Sequence, residues 1–402
     1  MPKNLLYLVH RIPYPPNKGD KIRSYHLLEH LSTGYDVYLG AFVDDENDWQ
    51  YQDRVKQLCK ECCLVAMNPK AAKLASLSGL FTGEALTLPY YRNAALESWV
   101  KRILNELKID RIVVFSSAMA QYVEESDALR IMDFVDVDSD KWTQYANAKP
   151  WPLNWLYRRE GRLLLDYERR IAQCFDASFF VSPHEAALFR RLAPGSENRI
   201  HHFSNGVDAE YFSPERGYAN PYAKDEEALV FTGAMDYWPN IDAVTWFARE
   251  IFPQILEKEP RARFYIVGSN PAKPVMELGK IPGIKVTGRV EDVRPHLFHA
   301  SLAVAPLRIA RGVQNKVLEA MSMAKYVVAT AQAMEGIETM TGCFMANDEN
   351  EIAERVLQVL DMAPRPNLAG RDAILAHYDW EKNLAVIDSF LEDAPPLRGG
   401  KT

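Results

Sequence analysis

Residues 312–321, which read Gly-Val-Gln-Asn-Lys-Val-Leu-Glu-Ala-Met, combine residue types at a spacing that could bind a nucleotide diphosphate. We call this segment the cradle. It follows an apolar run over residues 302–307, which is typical of a strand buried on both faces. A basic turn that contains Arg308 and Arg311 separates the two. The order predicts a strand, a turn and the first turns of a helix.

The residues of the cradle predict a division of labour between a cation and a carboxylate. Gly312 lets the backbone approach a ligand, and the helix after it would aim unpaired N–H groups and its positive dipole end at an anion. Lys316 lies one turn into this helix and is expected to bind phosphate, whereas Glu319, a further turn along, is expected to bind ribose hydroxyls. We include Val313 and Gln314 among the contacting residues. The alternative is a plain helix N-terminus with surface charges, because isolated strand–glycine–helix patterns are common.

The elements that must position the cradle fall into two similar halves. With 402 residues, the chain is long enough for two domains that each bury a core. Apolar runs alternate with helical segments in both halves, which predicts two doubly wound α/β sheets. The predicted strands cover residues 5–10, 36–43, 62–67, 111–115, 130–135 and 178–182, and then 229–233, 263–268, 284–288, 302–307, 326–330 and 344–346.

The domain boundaries follow from breaks in this pattern. Glycine, proline and charged residues interrupt it over residues 206–227, which we interpret as a linker. We therefore predict one Rossmann-like domain over residues 1–205 and a second over residues 228–375. Asp379 could cap a last helix over residues 376–393, and residues 394–402 are expected to be disordered. The buried face of that helix is predicted to carry Trp380, Leu384, Ile387 and Leu391.

Composition and charge exclude some classes of function. The net charge of −7 argues against a general nucleic-acid binder, which needs a basic surface to release counterions. No segment approaches the roughly 18 consecutive apolar residues of a membrane-spanning helix, and no basic and apolar leader is visible. We expect a cytoplasmic protein. The five cysteines are expected to be reduced thiols without a metal, because no second Cys/His pair completes a zinc site.

The cradle resembles the C-terminal signature of the retaining GT-B glycosyltransferases of family 4, in which two glutamates are separated by seven residues. Glu319 falls on the second glutamate, whereas Arg311 stands where the first, expected to touch the donor sugar, would be. Residues 133–142 and the Asn-Lys variant of the cradle more narrowly resemble bacterial sugar transferases associated with exopolysaccharide and PEP-CTERM sorting loci. Further matching segments are residues 13–31, 205–208 with Phe212, 231–233 and 286–288.

The resemblance implies two Rossmann-like domains that face a cleft, with the last helix crossing back to the N-terminal, acceptor-binding domain. It also implies roles for three further residues. Arg308 would help to neutralise a diphosphate, because the Arg and Lys that the family places after the first strand of the second domain are missing here. Arg289, after a strand, would lie beside the nucleotide base, unless it is simply a surface charge. Gly336 would lie in a loop near the sugar.

The segment after the first strand is a proline-rich turn that ends at Gly19. It stands where open α/β sheets bind ligands, and the resemblance makes it the loop that faces the diphosphate and the acceptor. Gly19 would let the backbone come close, and Lys18, Lys21 or Arg23 could supply charge. The alternative is a strand-to-helix turn with solvated cations.

Four aspartates gather at the end of the fifth predicted strand, within residues 133–140. Asp136 or Asp138 could orient the acceptor hydroxyl or a cation, or the group could simply cap a helix. Read as an Asp-x-Asp element, the pair would bind a divalent metal, as in GT-A transferases. We discount that interpretation because it leaves the second sheet and the cradle without a task. No metal or cofactor is expected.

A basic helix with aromatic neighbours lies between residues 151 and 170. It is interpreted either as a solvated helix face or as a peripheral contact with the inner membrane surface.

Together these observations predict a retaining hexosyltransferase. It would move a sugar from a nucleotide diphosphate donor to a glycan or lipid-linked hydroxyl acceptor in exopolysaccharide or other cell-surface glycan synthesis. The residues expected to carry catalysis are Lys316, Glu319, Arg311 and Asp136. Two alternatives are a nucleotide-sugar epimerase of the same fold and a non-catalytic nucleotide-sugar-binding subunit.

Overall fold

The computed structural model describes residues 3–147, 149–310, 312–338, 340–362 and 365–392. Arg311 and the predicted disordered tail, residues 394–402, lie outside the described residues. The chain divides into two compact units. The first contains the residues up to Ser204 and those from Leu384 onward, and the second contains Asn205–Asn383.

The first unit is built on a parallel sheet whose order, among the described residues, is β3-β2-β1-β4-β5-β6-β7. Its strands are β1 Lys3–Val9, β2 Tyr35–Val43, β3 Glu61–Ala66, β4 Arg111–Phe115, β5 Leu129–Val135, β6 Ala177–Phe180 and β7 Ile200–His202. Its helices are α1 Gly19–Gly34, α2 Gln52–Lys56, α3 Pro69–Ser76, α4 Gly79–Thr82, α5 Thr87–Tyr90, α6 Ala94–Glu106, α7 Asp138–Asn147, α8 Leu153–Cys174 and α9 Pro183–Leu192. Short 3-10 turns cover Glu46–Tyr51, Ser117–Tyr122 and Glu197–Arg199.

The second unit repeats this plan with the order β10-β9-β8-β11-β12-β13, again all parallel. Its strands are β8 Glu227–Thr232, β9 Ala262–Val267, β10 Ile284–Gly288, β11 Leu302–Ala305, β12 Val327–Ala329 and β13 Cys343–Met345. Its helices are α10 Trp238–Trp246, α11 Phe252–Lys258, α12 Lys273–Leu278, α13 Arg294–His299, α14 Asn315–Ser322, α15 Glu349–Met362 and α16 Leu368–His377. A π-helical segment, Phe247–Ile251, joins α10 to α11.

The burial of the central strands explains why apolar runs in the sequence predicted the sheets. Every residue of β4 and β11 is buried, because helices cover both faces of a parallel sheet. The prediction of two doubly wound domains is confirmed. The sequence interpretation missed β7, which has three residues and contains two histidines.

The last helix, α17, covers Trp380–Glu392. The backbone N–H of Lys382 donates to the Asp379 carboxylate at 2.9 Å, so Asp379 caps the helix as predicted. Leu384, Ile387 and Leu391, from the part that belongs to the first unit, are buried. No helix among the described residues has the length and apolar character needed to cross a bilayer.

Candidate functional site

Each sheet has a point where the direction of strand order reverses, and ligands of open α/β sheets bind there, at the carboxyl ends of the strands. In the second unit this point lies between β8 and β11. The helices α10 and α14 begin just after these two strands, so two positive dipole ends lie at the same edge of the sheet. The cradle is therefore located where the fold alone would place an anion site.

Glycines shape the backbone beside this point. Gly268, at the end of β9, has a φ of 159°, and a Cβ added there would stand 1.6 Å from the carbonyl oxygen of Gly233, at the end of β8. A Cβ on Gly233 would come within 2.8 Å of Asn240 Nδ2 and 3.4 Å of Lys316 Nζ. The ends of β8 and β9 can approach each other, and admit the lysine, only without side chains at these positions.

Lys316 points its ammonium group to the carboxyl end of β8. Its Nζ donates to Asn240 Oδ1 at 2.6 Å and lies 4.2 Å from the centre of the Phe231 ring. Asn240 is itself fixed, because its Nδ2 donates to the Ala234 carbonyl at 2.9 Å. Burial lowers the pKa of Lys316 to about 7, although the negative charge of Glu319 opposes the shift. A lysine with this pKa gains its full charge when an anion binds beside it.

Glu319 lies one turn further along α14 and is half-buried. Burial raises its pKa to about 7, and the charge of Lys316 partly offsets that effect. Both groups therefore titrate near neutral pH. This behaviour is common in functional sites, where a ligand supplies the missing partners.

The start of α14 leaves polar groups available to a ligand. Gly312 is buried and has a φ of 63°, a left-handed conformation that glycine adopts without strain. Val313 is buried, and Gln314, the N-cap residue, donates from its Nε2 to the Gly312 carbonyl at 3.2 Å. Asn315 accepts a hydrogen bond from Asn205 Nδ2 at 3.1 Å, while its own Nδ2 is buried and has no partner in the described structure.

Arg308 is engaged by a residue of the protein itself. Its guanidinium forms a bidentate ion pair with Asp242 on α10, at 3.0 and 2.5 Å, and lies 5.1 Å from the Trp246 ring. This pair raises the pKa of Arg308. A contact between Arg308 and a diphosphate stays a prediction. In that contact the guanidinium would have to bind the diphosphate and Asp242 at the same time. Arg311, outside the described residues, has no structural account.

Two further predicted contacts lie on other loops at this edge. Arg289 follows β10, the outermost strand of the sheet, and is exposed without an ion pair to any described residue. Gly336 lies in the loop between β12 and β13, with a φ of 79°. Arg289 directly follows the carboxyl end of β10, Gly336 lies within the loop after β12, and the roles of both stay predictions.

The corresponding edge of the first unit carries a network of charged residues that the sequence interpretation did not single out. Arg11 follows β1 and pairs with Asp20 at 2.6 Å and with Asp44, at the end of β2, at 2.8 Å. His10 contacts the same Asp20 at 3.2 Å and stacks on Phe115, with ring centres 5.7 Å apart. The network fixes the turn that leads into α1.

Two of the three cations predicted near Gly19 are not solvated, whereas the third, Lys18, is half-buried just before α1. Lys21 is buried against Asp48 at 2.5 Å, and Arg23 is fully buried with Asp133 at 2.8 Å. Neither is free to neutralise a ligand, so both alternatives considered for these two residues are wrong. Gly19 itself is exposed at the start of α1, and a Cβ there would meet nothing within 4 Å. Among the described residues, no contact requires glycine at this position.

The acidic group after β5 holds a lysine. Lys141 Nζ lies 2.8 Å from Asp136 and 3.0 Å from Asp138, so an ammonium group stands between the two carboxylates. The second oxygen of Asp136, Oδ1, is buried without a hydrogen-bond partner among the described residues. Just before it, Val135 has a φ of 70°, a strained conformation for a β-branched residue. Such outliers often mark functional loops, and the role of Asp136 stays a prediction.

Asn240 is the site residue that the sequence interpretation missed. The family signature directed attention to an absent Arg and Lys, and the amide was not considered as their replacement. The available signal was its place two residues into a helix that follows a glycine-ended strand. A first-turn side chain there necessarily lies near the strand end.

Residues 226–362 match the family model described as Glycosyl transferases group 1. The chain is 22% identical over 365 residues to an uncharacterized 44.6 kDa protein in the cps region of Klebsiella pneumoniae, covering 86% of this chain and 88% of that one. Sucrose-phosphate synthase from Thermosynechococcus elongatus has a TM-score of 0.72 at 17% identity, covering 97% of this chain and 98% of that chain. Anabaena Alr3699/HepE, solved with UDP and glucose, has a TM-score of 0.68 at 14% identity, covering 97% and 99%. The chain therefore has the GT-B fold, and most of its second unit matches a glycosyltransferase domain.

Proposed function

We propose that the protein is a retaining glycosyltransferase that moves a sugar from a nucleotide diphosphate sugar to a hydroxyl group. One observation carries the proposal: Lys316, with a pKa lowered to about 7, is held by Asn240 at the switch point of the second sheet. A diphosphate placed there would meet the ammonium group and the first turns of α10 and α14. Such an anion would restore the charge of Lys316 that burial disfavours.

The comparisons support the same chemistry. The match to Glycosyl transferases group 1 covers the strands and helices that build the cradle. HepE, which shares the fold, was solved with UDP and glucose. The Klebsiella pneumoniae relative is described by its place in the cps region, which supports a role in cell-surface glycan synthesis.

The proposed mechanism addresses the charge on the leaving group. As the bond between the anomeric carbon and the diphosphate oxygen breaks, negative charge grows on the diphosphate. Lys316 and the N–H groups at the start of α14 stabilise that charge more than the ground state, because they are already in place. The acceptor oxygen forms the new bond on the same face of the sugar, and its proton passes to the leaving phosphate oxygen. Glu319 holds the ribose hydroxyls.

The acceptor in this proposal is a glycan or lipid-linked hydroxyl bound by the first unit. Asp136 is our candidate for orienting that hydroxyl, because its Oδ1 is buried and unsatisfied within the described structure. A cytoplasmic location, independence of a metal and the narrower resemblance to exopolysaccharide and PEP-CTERM-associated transferases stay predictions.

The test separates transfer from the two alternatives. We would measure UDP-sugar and GDP-sugar binding by thermal shift, and then sugar transfer with the selected donor and a panel of acceptors. Lys316→Ala should weaken nucleotide binding by about 10- to 100-fold, the value of a charge-assisted hydrogen bond. Glu319→Gln should lower turnover in the sugar-transfer assay.

Lys325→Ala is the matched control. Lys325 is also a half-buried lysine of the second unit, and burial lowers its pKa to about 8, but it donates to the Ala300 carbonyl, before β11. It therefore lies at the opposite, amino end of the strands, and its loss should leave nucleotide affinity unchanged.

Sugar isomers formed without an acceptor would instead identify an epimerase. Binding without any turnover would identify a non-catalytic subunit.

A further inference from the structure

An exposed apolar surface with basic neighbours lies on the first unit, on α3, α4 and the start of α8. Phe81 is 91% exposed, Trp151 79% and Leu74 72%. Large apolar side chains rarely stand so far out of a soluble protein unless something covers them. The other exposed apolar residues of this surface are Leu77, Leu80, Leu153 and Trp155.

Two hydrogen-bonding residues show that these segments form one surface. Arg159, in the second turn of α8, donates to the carbonyl of Gly79 at 2.7 Å and to that of Glu84 at 3.2 Å. The buried carboxylate of Glu160 accepts from the backbone N–H of Leu86 at 2.6 Å and of Thr87 at 2.9 Å. The start of α8 is therefore fixed against α4. Trp155 lies one turn before Arg159, so the two residues share one face of α8, the face that Arg159 turns toward α4.

The exposed charges of these segments that have no ion-pair partner among the described residues are basic, whereas Glu84 and Asp166 nearby are paired with Arg92 and Arg169. Lys70 and Lys73 are exposed on α3, and Arg158 and Arg162 are exposed on α8. None of the four has an ion-pair partner among the described residues. The sequence contains no Asp or Glu between residues 68 and 83 or between residues 149 and 159. This surface is basic although the chain as a whole carries a net charge of −7.

We propose that this surface docks onto a membrane that contains anionic phospholipids. Exposed aromatic and aliphatic side chains would enter the headgroup region, and the surrounding lysines and arginines would attract the lipid charge. Charge complementarity favours a lipid surface over a second copy of this chain, because two copies would bring the same unpaired cations together. The sequence predicted a possible membrane contact only for residues 151–170, and the structure adds α3 and α4 to that surface.

Flotation of the full chain with vesicles tests the inference without any substrate. We expect binding to vesicles that contain phosphatidylglycerol and much weaker binding to pure phosphatidylcholine. Phe81→Ser with Trp155→Ser should weaken binding roughly tenfold or more, by removing inserted apolar surface. Lys70→Gln with Lys73→Gln should weaken binding by about fivefold for each charge removed.

The matched control lies on the second unit, where Leu368 is 56% exposed and Lys280 is also exposed. Leu368→Ser with Lys280→Gln should leave vesicle binding unchanged. All variants change exposed side chains, and unchanged thermal melting would show that they fold.

The inference is overturned if the wild-type chain does not float, or if the patch variants bind as well as the control. Self-association that the patch variants abolish, without vesicle binding, would identify a second copy as the true occupant. Because no donor is present, failure here leaves the proposed transfer reaction untouched.

Discussion

At the residue scale, two ionisable residues of the cradle have pKa values that burial shifts toward neutral pH. The pKa of Lys316 and that of Glu319 are both shifted to about 7 by burial. Lys316 is therefore only partly in its ammonium form near neutral pH. A bound diphosphate would favour the charged lysine and return its pKa toward the ordinary value.

The first prediction is that nucleotide binding takes up a proton. At about pH 8 the terminal phosphate of UDP is fully ionised and most Lys316 is neutral, so binding should bring close to one proton onto the lysine. Isothermal titration calorimetry in buffers of different ionisation enthalpy measures this uptake directly. Lys316→Met should abolish it, and Lys325→Met should retain it. Equal uptake by both variants would place the titrating group elsewhere.

Residues differ in how far their positions in the fold could be predicted from the sequence. Lys316 and Glu319 could be placed because a glycine, a cation and a carboxylate at helical spacing have one natural arrangement after a buried strand. Asn240 could not, because its role depends on a contact between residues 76 positions apart. Lys21 and Arg23 were misjudged for a similar reason: Asp48 and Asp133, which bury them, come from distant elements.

At the element scale, the strained loop after β5 is held by two buried carboxylates. The backbone N–H of Val137 donates to Glu185 on α9 at 2.7 Å. Glu168 on α8 accepts from Ser139, from the hydroxyl at 2.5 Å and from the backbone N–H at 3.3 Å. The positive φ of Val135 persists because these contacts fix the residues after it.

The second prediction concerns the pH dependence of this loop. Burial raises the pKa of Glu168 to about 8, well above the value of 4.5 in an unfolded chain. Between these two values the folded state binds more protons than the unfolded state, so stability falls as the pH rises through about 8. Glu168→Gln, which mimics the protonated form, should flatten the dependence of the urea midpoint between about pH 6 and 9.

The control for this variant is Asp166→Asn on the same helix, which removes an exposed carboxylate that pairs with Arg169. Its profile should follow that of the wild-type chain. A Glu168→Gln profile with the wild-type slope would show that Glu168 is ionised in the folded state at neutral pH.

The elements themselves were the most predictable part of the fold. Strands β4 and β10 begin and end where the sequence predicted. Strand β4 is buried along its whole length and is mostly apolar, because helices cover both faces of the sheet there, whereas β10 is an edge strand in which apolar and polar residues alternate before a glycine. The short edge strand β7 carries no apolar run. Its pairing with β6 stabilises it, and pairing is a property of the assembled sheet.

At the scale of the whole molecule, α17 ties the end of the chain to the unit in which the chain begins. Arg111, at the start of β4, donates to the carbonyl of Leu391 at 2.5 Å, and His30 on α1 contacts Asp388 at 2.8 Å. Phe390 packs edge-on against Phe179 of β6, with ring centres 5.1 Å apart. These contacts reach three different elements, so the helix should stabilise the first unit as a whole.

The last prediction is that a cavity under α17 destabilises the first unit selectively. Ile387 is fully buried, and Ile387→Ala should cost about 2–5 kcal/mol of folding free energy. Hydrogen exchange should quicken in β1, β4 and β6, while the amides of α14 keep their protection. Val386→Ala, at a neighbouring position that is 41% exposed, should change stability by less than about 0.5 kcal/mol. If exchange in α14 quickened by the same factor, the two units would unfold as one cooperative body, and the helix would be a support shared by both.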